Sequence, residues 1–208
     1  MGAHSGQARE ALLTAAHEVM AEKGYPRVTL REVAERAGVQ PALVNYYFGG
    51  KDGLLRSVIA SVAGKMQFRI QQTVSGEGTP EERIRELVHG IVQAMTAAPY
   101  APRLMVEQVL FADAGVIEEF VESFARPNLA AIRSLLDDGL EMGSLREVDP
   151  RFLVPAMVGA CIFFFLGAPI VRRLYGIEEI SAELAREFAD QTAELILHGT
   201  AASGGAKP

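Results

Sequence analysis

Residues 29–55 read TLREVAERAGVQPALVNYYFGGKDGLL, and this stretch holds the local signals that decide the fold. Its first four residues form a capping box, in which the hydroxyl of Thr29 accepts from the backbone amide of Glu32 and the Glu32 carboxylate reaches back. Gly38 supplies the left-handed residue that ends this helix. Pro41 stands in the first turn of the next helix, where its missing amide costs nothing. The stretch therefore predicts two short helices joined by a tight turn.

The second of these helices, expected from about residue 40 to residue 48, has two different faces. Spacing of i, i+3 and i+4 places Val44, Tyr47 and Phe48 on one side, where they can pack on the preceding helices. The opposite face carries small, amide and phenol groups, which can enter a DNA major groove; these are Ala42, Asn45 and Tyr46, flanked by Pro41 and Leu43. Spacing alone leaves an ordinary helical hairpin equally open, and the divided character of this helix favours a helix-turn-helix.

Helical periodicity continues along almost the whole chain, and no run of alternating β-branched residues indicates a strand. The predicted class is all-α, with a three-helix helix-turn-helix domain over residues 7–52 and a second helical domain over residues 53–200. Helices are expected at 7–23, 51–74, 80–97, from about 102 to 110, at 115–140 with a break near 126–127, at 149–175 and at 181–197.

The segments at 29–39 and 44–55 resemble the N-terminal domain of the tetracycline-repressor (TetR) family. The turn at Gly38, the aromatic residues 46–48 and the following Lys51 have the same spacing as in the family. The resemblance covers about residues 8–60. Where the family usually has tyrosine and histidine in the aromatic run, this chain has Asn45 and Tyr47, and Gln40 stands where serine is common. Because these differences change the expected base preference, no operator sequence can be carried over from the family.

The resemblance implies a dimer that binds a palindromic site in double-stranded DNA. It implies phosphate contacts by Thr29, Tyr46 and Lys51, the last helped by the start of its helix; for Lys51 the alternative is a solvated surface lysine. The other residues expected at the DNA lie in or just before the reading helix: Gln40, Pro41, Ala42, Leu43 and Asn45. Asparagine can pair with adenine through two hydrogen bonds, and alanine or leucine can contact a thymine methyl.

For residues 53–200 the resemblance implies a helical domain that dimerises and binds a small-molecule inducer. The candidate ligand-binding residues combine large apolar groups with a few polar ones: Met95, Tyr100, Arg103, Glu107, Phe124, Met157, Cys161 and Phe164. Core packing is the alternative for most of them, because any helical domain needs a core. For Glu107 the alternative is a salt-bridged or exposed helix carboxylate. The mixture predicts a mostly apolar ligand with one or two polar anchors.

Two C-terminal segments are expected to form the dimer interface. The helix at 181–197 has one stripe made of Leu184, Phe188, Gln191 and Leu195, and it can pair with the apolar helix at 149–175 in a two-fold, four-helix arrangement. Gly159 and Ala160 would allow close approach. The alternative is that both helices are buried within one subunit.

A membrane span is a further alternative for this region, because residues 152–171 hold no formal charge and are long enough to cross a bilayer. The stretch contains Pro155, Gly159, Gly167 and Pro169, which favours a buried helix of a protein without a membrane partner. The rival to a DNA-binding regulator is thus a membrane-associated or purely structural helical protein.

Composition excludes several other classes. The net charge is −6, yet residues 1–52 hold equal numbers of acidic and basic groups, so DNA binding would depend on a few placed residues and on dimerisation. The single cysteine, Cys161, is typical of a reducing cytoplasm. No histidine or cysteine pair has metal-ligand spacing, and no catalytic constellation occurs. We therefore expect a cytoplasmic protein without enzymatic activity, cofactor or metal.

Overall fold

A computed structural model describes residues 2–200 of the chain, with side chains for residues 6–199. Within this range the chain is helical and has no strand, which confirms the predicted all-α class. The α-helices are α1 (Gly2–Lys23), α2 (Leu30–Arg36), α3 (Ala42–Phe48), α4 (Lys51–Val74), α5 (Pro80–Ala97), α6 (Ala101–Met105), α7 (Ala114–Phe120), α8 (Arg126–Glu141), α9 (Pro150–Leu166), α10 (Ala168–Tyr175) and α11 (Ala182–Thr200). A 3-10 turn (Tyr25–Arg27) and two π-helical turns (Val106–Leu110 and Val121–Ala125) complete the path.

The local signals at the start of α2 form as the sequence predicts, with one difference. Thr29 caps the helix and accepts a hydrogen bond from the Glu32 amide at 3.3 Å. The Glu32 carboxylate forms an ion pair with Lys23 of α1 instead of reaching back to the cap. Gly38 has a φ of 67°, so it adopts the left-handed conformation that the turn requires.

The chain folds into two compact units. Of the described residues, the first unit contains 2–63 and 98–117, and the second contains 64–97 and 118–200. The boundary lies inside α4, eleven residues beyond the division expected after residue 52, and that division stays a prediction. The core of the first unit consists of α1, α2, α3 and the first part of α4, and it also includes Tyr100, Ala101 and Leu104.

Helix α5 forms the centre of the second unit, because it packs against α8, α9 and α11. Its apolar face, which includes Ile84, Val88 and Ile91, joins a core completed by residues of these neighbours. Arg83 fixes α5 to α8, since its guanidinium donates to Asp138 at 3.4 Å and to the Val74 carbonyl at 2.9 Å.

Two predicted helices differ in the structure, and proline or glycine explains both differences. The interruption expected near Arg126 and Pro127 takes the form of a π turn: the chain stays helical, widens over 121–125 and returns to an α-helix at Arg126, because proline has no N–H to donate one turn back. The single helix expected over 149–175 is wrong, since it divides into α9 and α10 at Gly167. There Pro169 again has no amide to donate, and a Cβ on Gly167 would lie 2.9 Å from the Phe163 carbonyl oxygen.

Among the described residues, no single helix is long and apolar enough to cross a membrane. Helices α9 and α10 reach that length and composition only as a pair, and they are bent by 69° where they meet.

Candidate nucleic-acid interface and effector site

Helix α3 presents one packed face and one exposed face, as its sequence predicts. Val44 is fully buried and Phe48 nearly so, and both belong to the core of the first unit. Ala42 and Asn45 are exposed, and Tyr46 is 77% exposed. The outward groups are therefore a methyl, an amide and a phenol, held on a helix whose other side is fixed by packing.

The other residues expected at the DNA lie in the same unit. Gln40 and Pro41 are exposed directly before α3, while Leu43 is half-buried and packs against the core. Thr29 is exposed, but its hydroxyl already accepts from the Glu32 amide. That hydroxyl can still donate its own proton to a phosphate oxygen.

Lys51 is the exposed first residue of α4, at a corner that two glycines make possible. Gly49 ends α3 with a φ of 69°, in the left-handed region. Gly53 approaches the end of α3 so closely that a Cβ there would overlap the Phe48 carbonyl oxygen. The corner holds the positive end of α4, with its free amides and Lys51, beside the end of α3.

Ion pairs between α1 and α2 compensate the acidic groups of the first unit. Arg36 donates two hydrogen bonds of 2.8 Å to Glu22 and one of 3.4 Å to Glu18. The hydrogen bond from Arg36 holds the pKa of Glu22 below its usual value. Both carboxylates lie on α1, and the guanidinium of Arg36 on α2 binds Glu22 through two hydrogen bonds and Glu18 through one.

Three of the eight candidate ligand-binding residues lie in the first unit. The hydroxyl of Tyr100 hydrogen-bonds with Nδ1 of His17 on α1, and burial raises the pKa of Tyr100 to about 12. Glu107 pairs with Arg103 at 2.8 Å and accepts from the hydroxyl of Tyr25. These contacts fasten the 98–117 segment to α1 and to the 3-10 turn that follows α1.

The other five candidates come together in the core of the second unit. Met95, Met157 and Cys161 are buried, and burial raises the pKa of the Cys161 thiol to about 11. Phe124 and Phe164 are half-buried and pack against the same core. The structure thus groups these five and separates them from Tyr100, Arg103 and Glu107.

One buried polar residue escaped the sequence reasoning. Asn128 on α8 is 5% exposed, and Thr192 is the other buried polar side chain in the described part of the chain. The signal was present, because Asn128 lies one helical turn before Ile132 on the face that continues to Leu135. An amide in an otherwise apolar stripe marks a position where packing alone does not explain the residue.

The side chains of the α11 stripe that was expected to face a partner subunit point in two different directions. Phe188 faces inward and stacks on Phe164 with ring centroids 3.9 Å apart. Leu195 is 76% exposed. Further large apolar side chains are exposed on the neighbouring α9 and α10: Phe152, Phe163, Leu166, Ile170, Leu174 and Tyr175. No cluster of three potential metal ligands occurs among the residues that the structure describes.

Comparisons with known proteins agree with this geometry. Residues 12–58 match the family described as "Bacterial regulatory proteins, tetR family", and residues 77–206 match "Tetracyclin repressor-like, C-terminal domain". A transcriptional regulator BetI from Rhizobium meliloti is 38% identical over 91 residues, which are 44% of this chain and 45% of that protein. A BetI from Brucella canis is 32% identical over 80 residues, 38% of this chain and 40% of that protein. The matched segment spans less than half the length of these curated relatives.

Solved structures share the fold along nearly the whole chain. A TetR/AcrR-family regulator from Thermobifida fusca has a TM-score of 0.71 at 24% identity, covering 96% of this chain and 98% of that one. FadR from Bacillus subtilis, solved in complex with stearoyl-CoA, has a TM-score of 0.71 at 17% identity, covering 92% and 98%. Because family models match both the helix-turn-helix region and most of the remaining chain, this protein belongs to the TetR family of DNA-binding transcriptional regulators.

Proposed function

We propose that this regulator is a cytoplasmic repressor that binds a palindromic operator as a homodimer. In this proposal a mostly apolar small molecule releases it from DNA, and the protein acts by binding, without catalytic turnover. The observation that carries the proposal is the exposed face of α3, where Asn45 and Tyr46 project from a helix fixed by buried Val44 and Phe48. Such a face reads base edges in a major groove, and a two-fold dimer places two copies about one helical turn of DNA apart.

The proposed DNA contacts divide into base reading and phosphate binding. The operator is first selected from random double-stranded DNA. Asn45→Ala then lowers discrimination between operator and unrelated DNA by about 1–3 kcal/mol, because the amide that pairs with a base is gone. Lys51→Ala weakens binding to every sequence and lowers the salt slope by about one unit. Lys65→Ala, an exposed lysine further along the same helix, is the control. Equal binding by wild type and both variants would refute these roles.

The proposed dimer surface is the set of exposed apolar side chains on α9, α10 and α11, because large apolar groups of this kind are buried in obligate interfaces. Leu195→Glu on α11 places a charge in that surface without touching the core, and we expect monomers by light scattering and weak operator binding. Phe111→Glu is the control, since Phe111 is equally exposed but belongs to the first unit. Phe188 is unsuitable for this purpose because its ring packs inside its own subunit. A monomeric wild type at micromolar concentration would refute the dimer.

For a ligand to release the protein from DNA, its binding to the second unit must affect the helix-turn-helix of the first unit. The chain passes between the units three times, within α4 after residue 63, after residue 97 and after residue 117. A ligand that binds the second unit better in one arrangement of these connections shifts the balance by its difference in affinity between the arrangements. The structural neighbour solved with stearoyl-CoA, a ligand with a long apolar acyl chain, supports an effector with a large apolar part. A compound that stabilises the free protein and leaves operator affinity unchanged would contradict ligand control.

A further inference from the structure

Asn128 on α8 is a buried amide whose hydrogen bonds are not made by the described protein. Its side chain is 5% exposed, and neither Oδ1 nor Nδ2 has a partner among residues 6–199. Nearly all buried polar atoms in folded proteins are hydrogen-bonded, because an unpaired polar group loses its water without compensation. An amide left in this state is a candidate for binding something that the chain itself does not supply.

The position of Asn128 follows from the packing of α8 on α5. The two helices run antiparallel, since Asp138 near the end of α8 pairs with Arg83 near the start of α5. Gly139 touches the same end of α5, where a Cβ would lie 3.1 Å from Pro80. Asn128 precedes Gly139 by eleven residues, which is about 16 Å along the helix. It therefore lies level with the second half of α5.

The two ends of the α5–α8 pair are packed differently. At the Gly139 end a Cβ would overlap the Leu145 side chain as well as touch Pro80, so the helices are in close contact. At the other end, a Cβ built on Gly90 would meet no atom within 4 Å, although Gly90 is half-buried. Gly90 follows Arg83 by two helical turns and lies at the edge of the exposed face of α5, next to Glu86 and Gln93. The described side chains thus leave the position beside Gly90 uncovered, about level with the unpaired amide along α5.

The chemistry of the surroundings restricts what can bind there. An amide side chain offers two N–H donors and a carbonyl acceptor. Apolar side chains make up most of the core of the second unit, and Thr192 is its other buried polar side chain. Arg83, the nearly buried charge that joins α5 to α8, lies at the opposite end of this helix pair and is already paired with Asp138. A charged ligand group at Asn128 would therefore lose its water without an opposite charge to replace it. A neutral group that has a donor and an acceptor side by side can satisfy both ends of the amide.

We propose that Asn128 is the polar anchor of the effector site, and that the effector is an apolar molecule with a neutral carboxamide, lactam or protonated carboxyl group. This inference rests on the proposed control of DNA binding by a ligand in the second unit. The amide of Asn128 forms a two-point hydrogen-bonded pair with the effector head group. The apolar part of the effector occupies the space beside Gly90.

The experiment uses three probes with the same alkyl chain and different head groups: decanamide, methyl decanoate and decanoate, the last at mildly alkaline pH so that it is ionised. Binding to the full chain is measured by thermal stabilisation and by release of the selected operator. We expect decanamide to bind at least about tenfold more tightly than either other probe, because only decanamide pairs with both ends of the amide. Asn128→Leu should remove this preference and weaken the binding of decanamide more than that of methyl decanoate, because the ester can form only one of the two hydrogen bonds.

Two further variants separate the anchor from general core effects. Thr192→Val removes the other buried polar side chain of the same core and should leave the decanamide preference intact. Gly90→Leu fills the open space and should abolish binding of all three probes, while Gly90→Ala fills little of it and should retain binding. Operator affinity without probe confirms that each variant is folded.

A spectroscopic measurement addresses the amide itself. The side-chain NH2 resonances of Asn128, identified by their loss in Asn128→Leu, should shift more on addition of decanamide than on addition of methyl decanoate at equal occupancy, because the ester can accept from Nδ2 but has no donor for Oδ1. Equal affinity of wild type and Asn128→Leu for decanamide would overturn the proposal, as would tighter binding of decanoate or no binding of any probe. Failure of the free protein to bind selected DNA would instead overturn the proposed function, so the two failures are distinct.

Discussion

The two compact units of this protein differ in where they place an amide and where they expose large apolar side chains. The first unit has a fully buried core that includes Leu12, Val33 and Leu54, it exposes the amide of Asn45, and Leu110 and Phe111 are exposed at its 98–117 segment. The second unit exposes large apolar side chains and buries the amide of Asn128. A well-packed core holds the exposed face of α3 in place. Exposed apolar groups and an unpaired buried amide are, by contrast, typical of surfaces and sites that bind other molecules. The difference predicts opposite responses to substitution in the two cores.

The largest effect is expected from Leu104→Ala in the first unit. Leu104 is fully buried in the helix-turn-helix core, although it comes from the 98–117 segment. Removing its side chain leaves a cavity in a core that cannot easily collapse, so the free energy of unfolding should fall by about 2–5 kcal/mol. Urea unfolding followed by tyrosine fluorescence measures this, because four of the five tyrosines, Tyr25, Tyr46, Tyr47 and Tyr100, lie in the first unit.

The matched control is Leu110→Ala, an exposed leucine of the same segment. It should change the free energy of unfolding by no more than about 0.5 kcal/mol, because no buried contact is lost. If both leucine variants unfold like the wild type, the 98–117 segment does not stabilise the helix-turn-helix core. The contrast between the two units would then not hold for the first unit.

The second prediction has the opposite sign. Asn128→Leu should raise the free energy of unfolding of the second unit by about 1–3 kcal/mol in the absence of effector, since it replaces an unpaired buried amide by an apolar group of similar size. The single thiol, Cys161, is fully buried in that core and provides a local measurement: opening of the unit exposes it to a thiol reagent. We expect slower labelling in Asn128→Leu. Faster labelling would mean that the amide is already satisfied in the folded protein.

The third prediction concerns the cap of α2. Thr29→Ala removes the acceptor for the Glu32 amide, which should cost about 1 kcal/mol of the first unit's free energy of unfolding, and Thr29→Ser should restore most of it. Thr14→Ala, at an exposed position inside α1, is the control because no helix start is affected. If urea unfolding followed by tyrosine fluorescence shows equal losses of unfolding free energy at the two threonines, the cap hydrogen bond does not stabilise α2.

Sequence reasoning succeeded where a few adjacent residues determine the structure. The bounds of α4 and α5, the cap at Thr29 and the left-handed turn at Gly38 depend on local hydrogen bonds, and they follow from the sequence directly. The division at Gly167 was missed although Gly167 and Pro169 are local helix breakers, because the uncharged apolar run continues across both residues. Local signals predict elements well because the interactions are within one turn of the helix.

The candidate sites divide along the same line. The two faces of α3 follow from spacing within one helix, so the exposed residues could be predicted. The effector candidates could not be separated into two groups, because Tyr100 joins the first unit through that unit's core and through a hydrogen bond with His17, 83 residues earlier. Asn128 was missed for the same reason: the lack of a partner becomes visible only when the neighbouring helices are in place.

The smallest effect is expected from the exposed ion pair between α1 and α2, and it depends on pH. Arg36 lowers the pKa of Glu22 in the folded protein, so the contribution of Glu22 to stability is full above the usual carboxyl pKa and is lost as pH falls through the lowered value. Glu22→Gln should therefore reduce the free energy of unfolding slightly at neutral pH and not at all in strong acid. Both side chains are solvent-accessible, which keeps the effect small. Urea unfolding at the two pH values, with Glu10→Gln on the exposed surface of the same helix as control, measures the difference. A loss that persists undiminished in acid would show that Glu22 stabilises the first unit through packing and not through its charge.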